Sequence, residues 1–311
     1  MCKEISYSII IPHKNIPDLL QRCLASIPRR EDVQIIVVDD NSDPDKVDFE
    51  HFPGLGDPFV EVVFTKEGKG AGYARNIGLT KATGKWLLFA DADDYFIDGF
   101  LQYLDKYNDS EYDLIYFGIY EIDAETKRKN VLDRTYNKKI REAIYDQKHD
   151  AYKYTMYGPV AKLIKISLIK ENNIKFDETI VANDRMFSIK VAYYAVQIFF
   201  DEHKIYTREL RRGSLVSLHT LEANFDKFCV DVRVNIFLKS IMQYKYRINL
   251  FPTLIRLINI HNMSYFYKGV NLAKQYKISL FIEFFEFSRT VPRRIIRKAR
   301  KISNKISGKA G

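Results

Sequence analysis

Short apolar runs alternating with amphipathic stretches organise the first two thirds of this chain. Residues 7–11 form an apolar run stopped by Pro12, the signature of a first strand. Over residues 18–26 and just beyond, Leu19, Leu20, Cys23, Leu24 and Ile27 recur at the spacing of an amphipathic helix. A second β-branched run at 33–38 ends in the polar cluster Asp39-Asp40-Asn41-Ser42, and 60–64 reads as a third strand. A glycine-rich loop at 68–72 leads into a predicted helix at 73–82. A fourth strand at 86–89, a helix at 100–107 and a fifth strand at 113–117 complete this region. From 121 to 153 charges dominate and the pattern weakens, as expected of a surface excursion or an acceptor-side segment. The pattern predicts a helix over 160–171, another over 184–195 and a late strand over 198–206. Beyond about residue 219 it predicts three helices, at 221–244, 253–267 and 272–287.

Strands alternating with helices predict an α/β fold with a doubly wound, mostly parallel sheet and a C-terminal helical extension. In such sheets ligands bind beyond the carboxyl ends of the strands. Residues 12–15, 39–42 and 91–94 all fall at such ends, so three polar clusters converge on one rim. The last is the most informative, because the buried-strand run Trp86-Leu87-Leu88-Phe89-Ala90 stops in Asp91-Ala92-Asp93-Asp94. In an extended segment residues i and i+2 share a face, so Asp91 and Asp93 are expected to aim at one spot while Ala92 turns away. Two carboxylates so placed need a cation or hydrogen-bond donors between them. An oxygen-liganded divalent metal that also grips a phosphate is one solution; a solvated acidic turn is the plain alternative.

Composition bounds the picture. The 311 residues, 46% hydrophobic and 29% charged, suffice for one large α/β domain and a smaller appendage. Cys2, Cys23 and Cys229 lie far apart without metal-like spacing, which points to a reducing compartment. A charged beginning running straight into a strand argues against a signal peptide, and no apolar stretch is long enough to span a bilayer. The net charge of +9 is local: nine Lys or Arg and no acid lie in residues 289–311, so the remainder is neutral. A neutral body argues against nucleic acid as a partner, whereas the basic arm points to something anionic.

The motifs resemble family 2 glycosyltransferases of the GT-A fold, of the kind that builds bacterial polysaccharides and capsules. The resemblance rests on Ser8-Ile9-Ile10-Ile11-Pro12-His13-Lys14-Asn15, then Ile35-Ile36-Val37-Val38-Asp39-Asp40-Asn41-Ser42. Gly70-Ala71-Gly72-Tyr73-Ala74-Arg75-Asn76 and Gly84-Lys85-Trp86 through Asp94 continue it in order. It is strong over 5–118, fair over 158–218 and silent thereafter. It implies that Pro12 lines a nucleotide pocket and that Asp40 hydrogen-bonds uracil, whose N3 is a donor suited to a carboxylate. It also implies Arg75 near the base or diphosphate, Asp91 on the ribose, and Asp93 on a Mn²⁺ or Mg²⁺ ion bridging the diphosphate. Asp94 is expected to face away and cap the following turn. An inverting transfer needs an acceptor-side base, and the family places an acid at a helix start, often as Glu-Asp before an aromatic. Here that segment is Val181-Ala182-Asn183-Asp184-Arg185-Met186-Phe187, so the resemblance assigns the base to Asp184, a helix-capping Asp being the alternative. His219 is a candidate further metal ligand, and Arg212 a candidate diphosphate contact.

The activity the resemblance implies is therefore metal-dependent, inverting transfer of a sugar from a nucleotide donor, UDP-linked by the family pattern, to a saccharide or lipid-linked saccharide in surface glycan synthesis. Residues 1–218 would form the nucleotide-sugar domain, 219–288 a helical region and 289–311 a basic amphipathic tail. Ile295, Ile296, Ala299, Ile302 and Ile306 interleave with that tail's cations, a pattern suited to an anionic membrane surface. A cytoplasmic protein peripheral to the inner face of the membrane is the location this implies. Competing readings are a sugar nucleotidyltransferase, disfavoured by Pro12-His13-Lys14-Asn15 where such enzymes carry a glycine-rich basic loop, and a non-catalytic relative that binds anionic surfaces.

Overall fold

The computed structural model describes residues 4–126, 128, 131–147, 149–211, 220–259 and 262–290. The chain divides into two compact units, Met1–Leu218 and His219–Gly311.

The first unit is built on one eight-stranded sheet. Its strands are β1 (Tyr7–His13), β2 (Val33–Asp39), β3 (Val60–Phe64), β4 (Trp86–Phe89), β5 (Tyr95–Phe96), β6 (Leu114–Asp123), β7 (Lys162–Lys165) and β8 (Ile198–Leu210). They lie in the order β3-β2-β1-β4-β7-β6-β8-β5. β1, β2, β3 and β4 run parallel, as do β6 and β8, while β7 is antiparallel to both β4 and β6, so the sheet is mixed. The apolar runs explain the central position of β1, all seven of whose residues are buried. Alternate side chains feed two different core layers, as the two-residue strand period requires. Ile9, Ile11, Trp86 and Leu88 join Leu20, Cys23 and Leu24 of helix α1 (Pro17–Ala25) on one face. Ile10, Leu87 and Phe89 join Ala74 of helix α2 (Ala71–Lys81) and Phe187 on the other.

Parallel register does the positioning. His13 pairs with Asp39, and Ile10 pairs with Phe89, so the chain leaves β1, β2 and β4 along one rim. Pro12 lies beyond the last residue of β1 paired with β4, where its missing N–H breaks no ladder bond on that side.

Two expected elements of this unit take a different form. Residues 160–171 are not one helix: 162–165 are β7, and helix α6 (Ile166–Glu171) follows. The apolar run satisfied both patterns, and pairing with β4 and β6 decided for a strand. The charged stretch 121–153 is more regular than expected. It contains the end of β6, helix α4 (Val131–Tyr145) and helix α5 (His149–Lys153), with Ile140 and Ala143 buried in the core. Helix α3 (Phe100–Asp105) and helix α7 (Arg185–Tyr194) fall where the spacing places them.

The second unit is helical: α8 (Leu221–Ser240), α9 (Phe251–Ile255), α10 (Ser264–Gln275) and α11 (Leu280–Thr290). Thr220 caps α8 by accepting a hydrogen bond from the Ala223 N–H at 3.1 Å. Phe228 and Val232 pack with Leu250, Leu254, Leu257 and Ala273 to form its core. The expected helices 253–267 and 272–287 are each broken, with chain turns separating α9, α10 and α11. Among the described residues no helix is long and apolar enough to cross a membrane.

Candidate active site at the carboxyl rim of the sheet

The two acids that end β2 have separate tasks. Asp39 is a structural clamp: its carboxylate receives His13 Nδ1 at 2.7 Å, the Ser42 hydroxyl at 2.5 Å and the Ser42 N–H at 2.9 Å. His13 Nε2 accepts from the Ile16 N–H at 3.1 Å, so the proton shared with Asp39 sits on Nδ1. Burial would raise the Asp39 pKa, but the hydrogen bonds from His13 and Ser42 outweigh it and hold the carboxyl below its ordinary range. Asp40 is also buried, yet only one of its oxygens is used. Oδ2 accepts from the Gly70 N–H at 2.9 Å and from Lys14 Nζ at 3.2 Å. Oδ1 is buried with no hydrogen-bond partner in the protein. Such an acceptor is costly unless something supplies a donor. Gly70 reaches Asp40 in a left-handed conformation, φ +92°, which favours glycine.

The glycine loop then opens α2. A Cβ on Gly72 would stand 2.0 Å from the Asp177 carbonyl oxygen, so only glycine allows the loop before α7 to approach this closely. That approach brings Arg75 into a buried bridge. One guanidinium nitrogen donates to Asp91 Oδ1 at 2.5 Å and another to Asn183 Oδ1 at 3.0 Å, with the Phe176 ring 5.3 Å away. Its Nε is buried without a partner. Arg75 thus joins the acid cluster after β4 to the segment preceding α7. Asn76 instead pins the backbone of Phe176 through both ends of its amide.

The acidic cluster is a tight turn rather than an extended segment, since the Asp94 N–H donates to the Asp91 carbonyl at 3.0 Å. Strand alternation therefore does not set the directions of Asp91 and Asp93. Asp91 is held by Arg75, while Asp93 Oδ2 accepts from Arg211 Nε at 2.9 Å. Arg22 adds a bond to the Asp93 carbonyl at 2.6 Å and pairs with Glu209 at 2.9 Å. Asp94 does face away, but it does not cap the next turn. It crosses to β8, accepting from the Tyr206 hydroxyl at 3.0 Å and the Glu209 N–H at 2.8 Å. Burial, and then the charges of Asp91 and Asp93, push its pKa well up. The Tyr206 hydroxyl also accepts from the Asp91 N–H at 2.9 Å, so β8 fastens the turn at two points.

Asp184 stands at the N-cap of α7, but its side chain makes no capping bond there. Burial raises its pKa, opposed first by Arg75 and then by Arg185. The preceding Ala182 is held at φ +58°, a left-handed conformation unfavourable for alanine. His219 and Arg212 lie outside the described residues, as does the tail from residue 291. Arg211, the neighbour of Arg212, is the cation seen at Asp93. Sequence reasoning gave no role to Lys14, Arg22, Arg211 or Tyr206. Asn183, met there only as a departure from Glu, is the partner of Arg75.

The profile of Glycosyl transferase family 2 matches residues 8–172. Among curated proteins, a poly(ribitol-phosphate) beta-glucosyltransferase of Bacillus spizizenii is 30% identical over 198 residues, 61% of this chain and 30% of that protein. The glycosyltransferase GlyA of Streptococcus pneumoniae is 24% identical, covering 71% of this chain and 33% of its own length. The chain thus spans about a third of the length of these relatives. Among solved structures, residues 1–349 of S. aureus TarS with UDP-GlcNAc superpose with a TM-score of 0.64 at 19% identity, covering 85% of this chain and 79% of that one. The mannosyltransferase PcManGT of Pyrobaculum calidifontis, solved with GDP-Man and Mn²⁺, gives 0.57 at 16% identity, covering 88% and 76%. These likenesses identify the sheet as a GT-A fold. With the profile matching more than half of the chain, the protein belongs to glycosyl transferase family 2.

Proposed function

We propose that this chain is an inverting, metal-dependent glycosyltransferase that moves a sugar from a UDP-linked donor to a saccharide or lipid-linked saccharide acceptor in surface glycan synthesis. Residues 1–218 would carry the donor and catalytic sites. The observation that carries this reading is Asp40 Oδ1, a buried acceptor with no protein partner, at the strand end beside Pro12 and on the rim of the acidic turn. The N3–H of uracil supplies the donor such an oxygen lacks. Asp91 then meets the ribose, and Arg75 supplies positive charge next to it.

The residues of the turn fit a hard divalent cation. Asp93 presents a carboxylate that is 22% exposed and already draws a cation, Arg211. Among the described residues no three His, Cys, Asp or Glu side chains converge on one metal position. One carboxylate completed by diphosphate oxygens is a usual arrangement for Mg²⁺. Bound at Asp93, Mn²⁺ or Mg²⁺ would neutralise the negative charge that grows on the departing nucleoside diphosphate. Asp184 takes the proton from the acceptor hydroxyl as the anomeric carbon is attacked. Its raised proton affinity favours that task, and the absence of a capping bond leaves the carboxylate uncommitted to its own helix.

The basic tail would dock the protein on the anionic inner face of the membrane. Support comes from its nine cations without an acid and from α11, where Phe281, Ile282, Phe284 and Phe285 are 76%, 53%, 47% and 46% exposed.

A donor screen tests the proposal. Purified protein with Mn²⁺ should release UDP from at least one common UDP-sugar in the presence of a glycan acceptor. Failure to bind or turn over any nucleotide sugar would overturn the enzyme reading.

A further inference from the structure

Among the described residues, a lysine inside an apolar run is a strong local anomaly that the donor site leaves unused. Lys162 sits in Val160-Ala161-Lys162-Leu163-Ile164, on the antiparallel strand β7, and is 2% exposed. Its ammonium donates to the Met156 carbonyl at 2.8 Å and to the Ser188 hydroxyl at 3.3 Å, and it lies 5.0 Å from the Tyr116 ring centre. Neither hydrogen-bond partner is an anion. A buried ammonium without a neutralising charge is strongly disfavoured. The acid whose field supports it is Asp184, one turn earlier on α7 than Ser188.

The connection is short. The Ser188 N–H donates to the Asp184 carbonyl at 2.9 Å, and the Ser188 hydroxyl, besides receiving Lys162, is tied to the Tyr157 carbonyl. Arg185 stacks on the same Tyr157 at 5.2 Å. Two alanines held left-handed, Ala161 at φ +53° and Ala182 at +58°, deliver Lys162 and the Asn183-Asp184 pair to this point. Such conformations persist where surrounding structure enforces them. Burial pushes the Lys162 pKa down to about 7, with the charge of Asp184 opposing that fall.

We propose that Lys162 is a positioning residue for transfer: its buried ammonium, fixed through Ser188 to the first turn of α7, is a further countercharge, beside Arg75 and Arg185, that favours the ionised Asp184 carboxylate. This rests on the reading of Asp184 as the base. Other charges facing Asp184 are Arg75 from α2, Arg185 on α7 itself and Asp91 after β4, while Tyr116 of β6 faces Lys162. Linkage makes the effect reciprocal, so each group must shift the titration of the other.

The experiment has two arms. In protein carrying [ε-¹³C]lysine, the Lys162 resonance, assigned with Lys162→Arg, should titrate near pH 7. In Asp184→Asn its midpoint should fall by about one pH unit, the usual scale for losing a nearby opposite charge. An unmoved midpoint overturns the proposal, and this arm needs no turnover. In the second arm, UDP release from UDP-glucose and UDP-N-acetylglucosamine is followed against pH. Lys162→Met should keep UDP–Mn²⁺ affinity within about twofold while the acid limb of the rate profile moves up by about one unit, because a cation favouring ionised Asp184 is gone. An acid limb that stays in place also overturns it. The base reading fails separately, if Asp184→Asn itself retains transfer; should Lys162→Met not fold, the lysine titration decides.

Discussion

Asp40→Asn is the sharpest perturbation of the donor site, because it exchanges one atom type while keeping the shape. In the native protein Oδ2 receives two donors, the Gly70 N–H at 2.9 Å and Lys14 Nζ at 3.2 Å. An asparagine must keep its single carbonyl oxygen there, since an NH₂ group would meet two donors head-on. Its NH₂ is then forced into the place of Oδ1, the buried atom without a partner. Facing uracil, that group opposes the N3–H donor; facing cytosine, it meets an acceptor. A hydrogen bond to a charged group is worth about 1.5–3 kcal/mol, so UDP affinity should fall about ten- to a hundredfold. CDP should lose far less or gain, narrowing or reversing the preference for UDP. Titration calorimetry of UDP and CDP with Mn²⁺, at equal protein stability, reads both. Unchanged UDP binding would refute the base contact. Equal losses for the two nucleotides would show that Asp40 only braces the glycine loop.

The remaining outcomes follow from the same contacts. Asp93→Ala should remove the metal-dependent part of UDP binding, so that EDTA no longer weakens it; persistent EDTA sensitivity would place the ion elsewhere. The Asp39 carboxyl has a lowered folded pKa, so its stabilisation is present above the unfolded value near 4 and is lost as pH falls through the folded value. Asp39→Asn should therefore cost about 1–3 kcal/mol in urea unfolding at pH 7 and progressively less towards about pH 3. A pH-independent difference would contradict the clamp. Removing residues 289–311 should release the protein from vesicles containing phosphatidylserine while leaving UDP binding intact, and unaltered co-sedimentation would end the membrane proposal.

The chain's own pattern determined a great deal. Short β-branched and aromatic runs, each closed by a polar cluster, specify parallel strands whose ends share a rim, and so Pro12, Asp40 and Asp91 could be placed together from spacing alone. Local rules sufficed because strand period and turn chemistry are properties of neighbouring residues. They failed where a segment satisfied two patterns at once. The run 160–171 reads as helix until β4 and β6 offer it their edges, and that choice puts Lys162 inside the sheet. Side-chain roles were still less local. Which acid of Asp39-Asp40 stays open depends on His13 and Ser42 for one, and on Lys14 and Gly70 for the other. Arg75 meets Asn183, 108 positions away, and Asp94 meets Tyr206 at a separation of 112. Hydrogen bonds across such distances leave no periodic trace in the sequence, because they exist only once the core has brought the strands and helices to one rim.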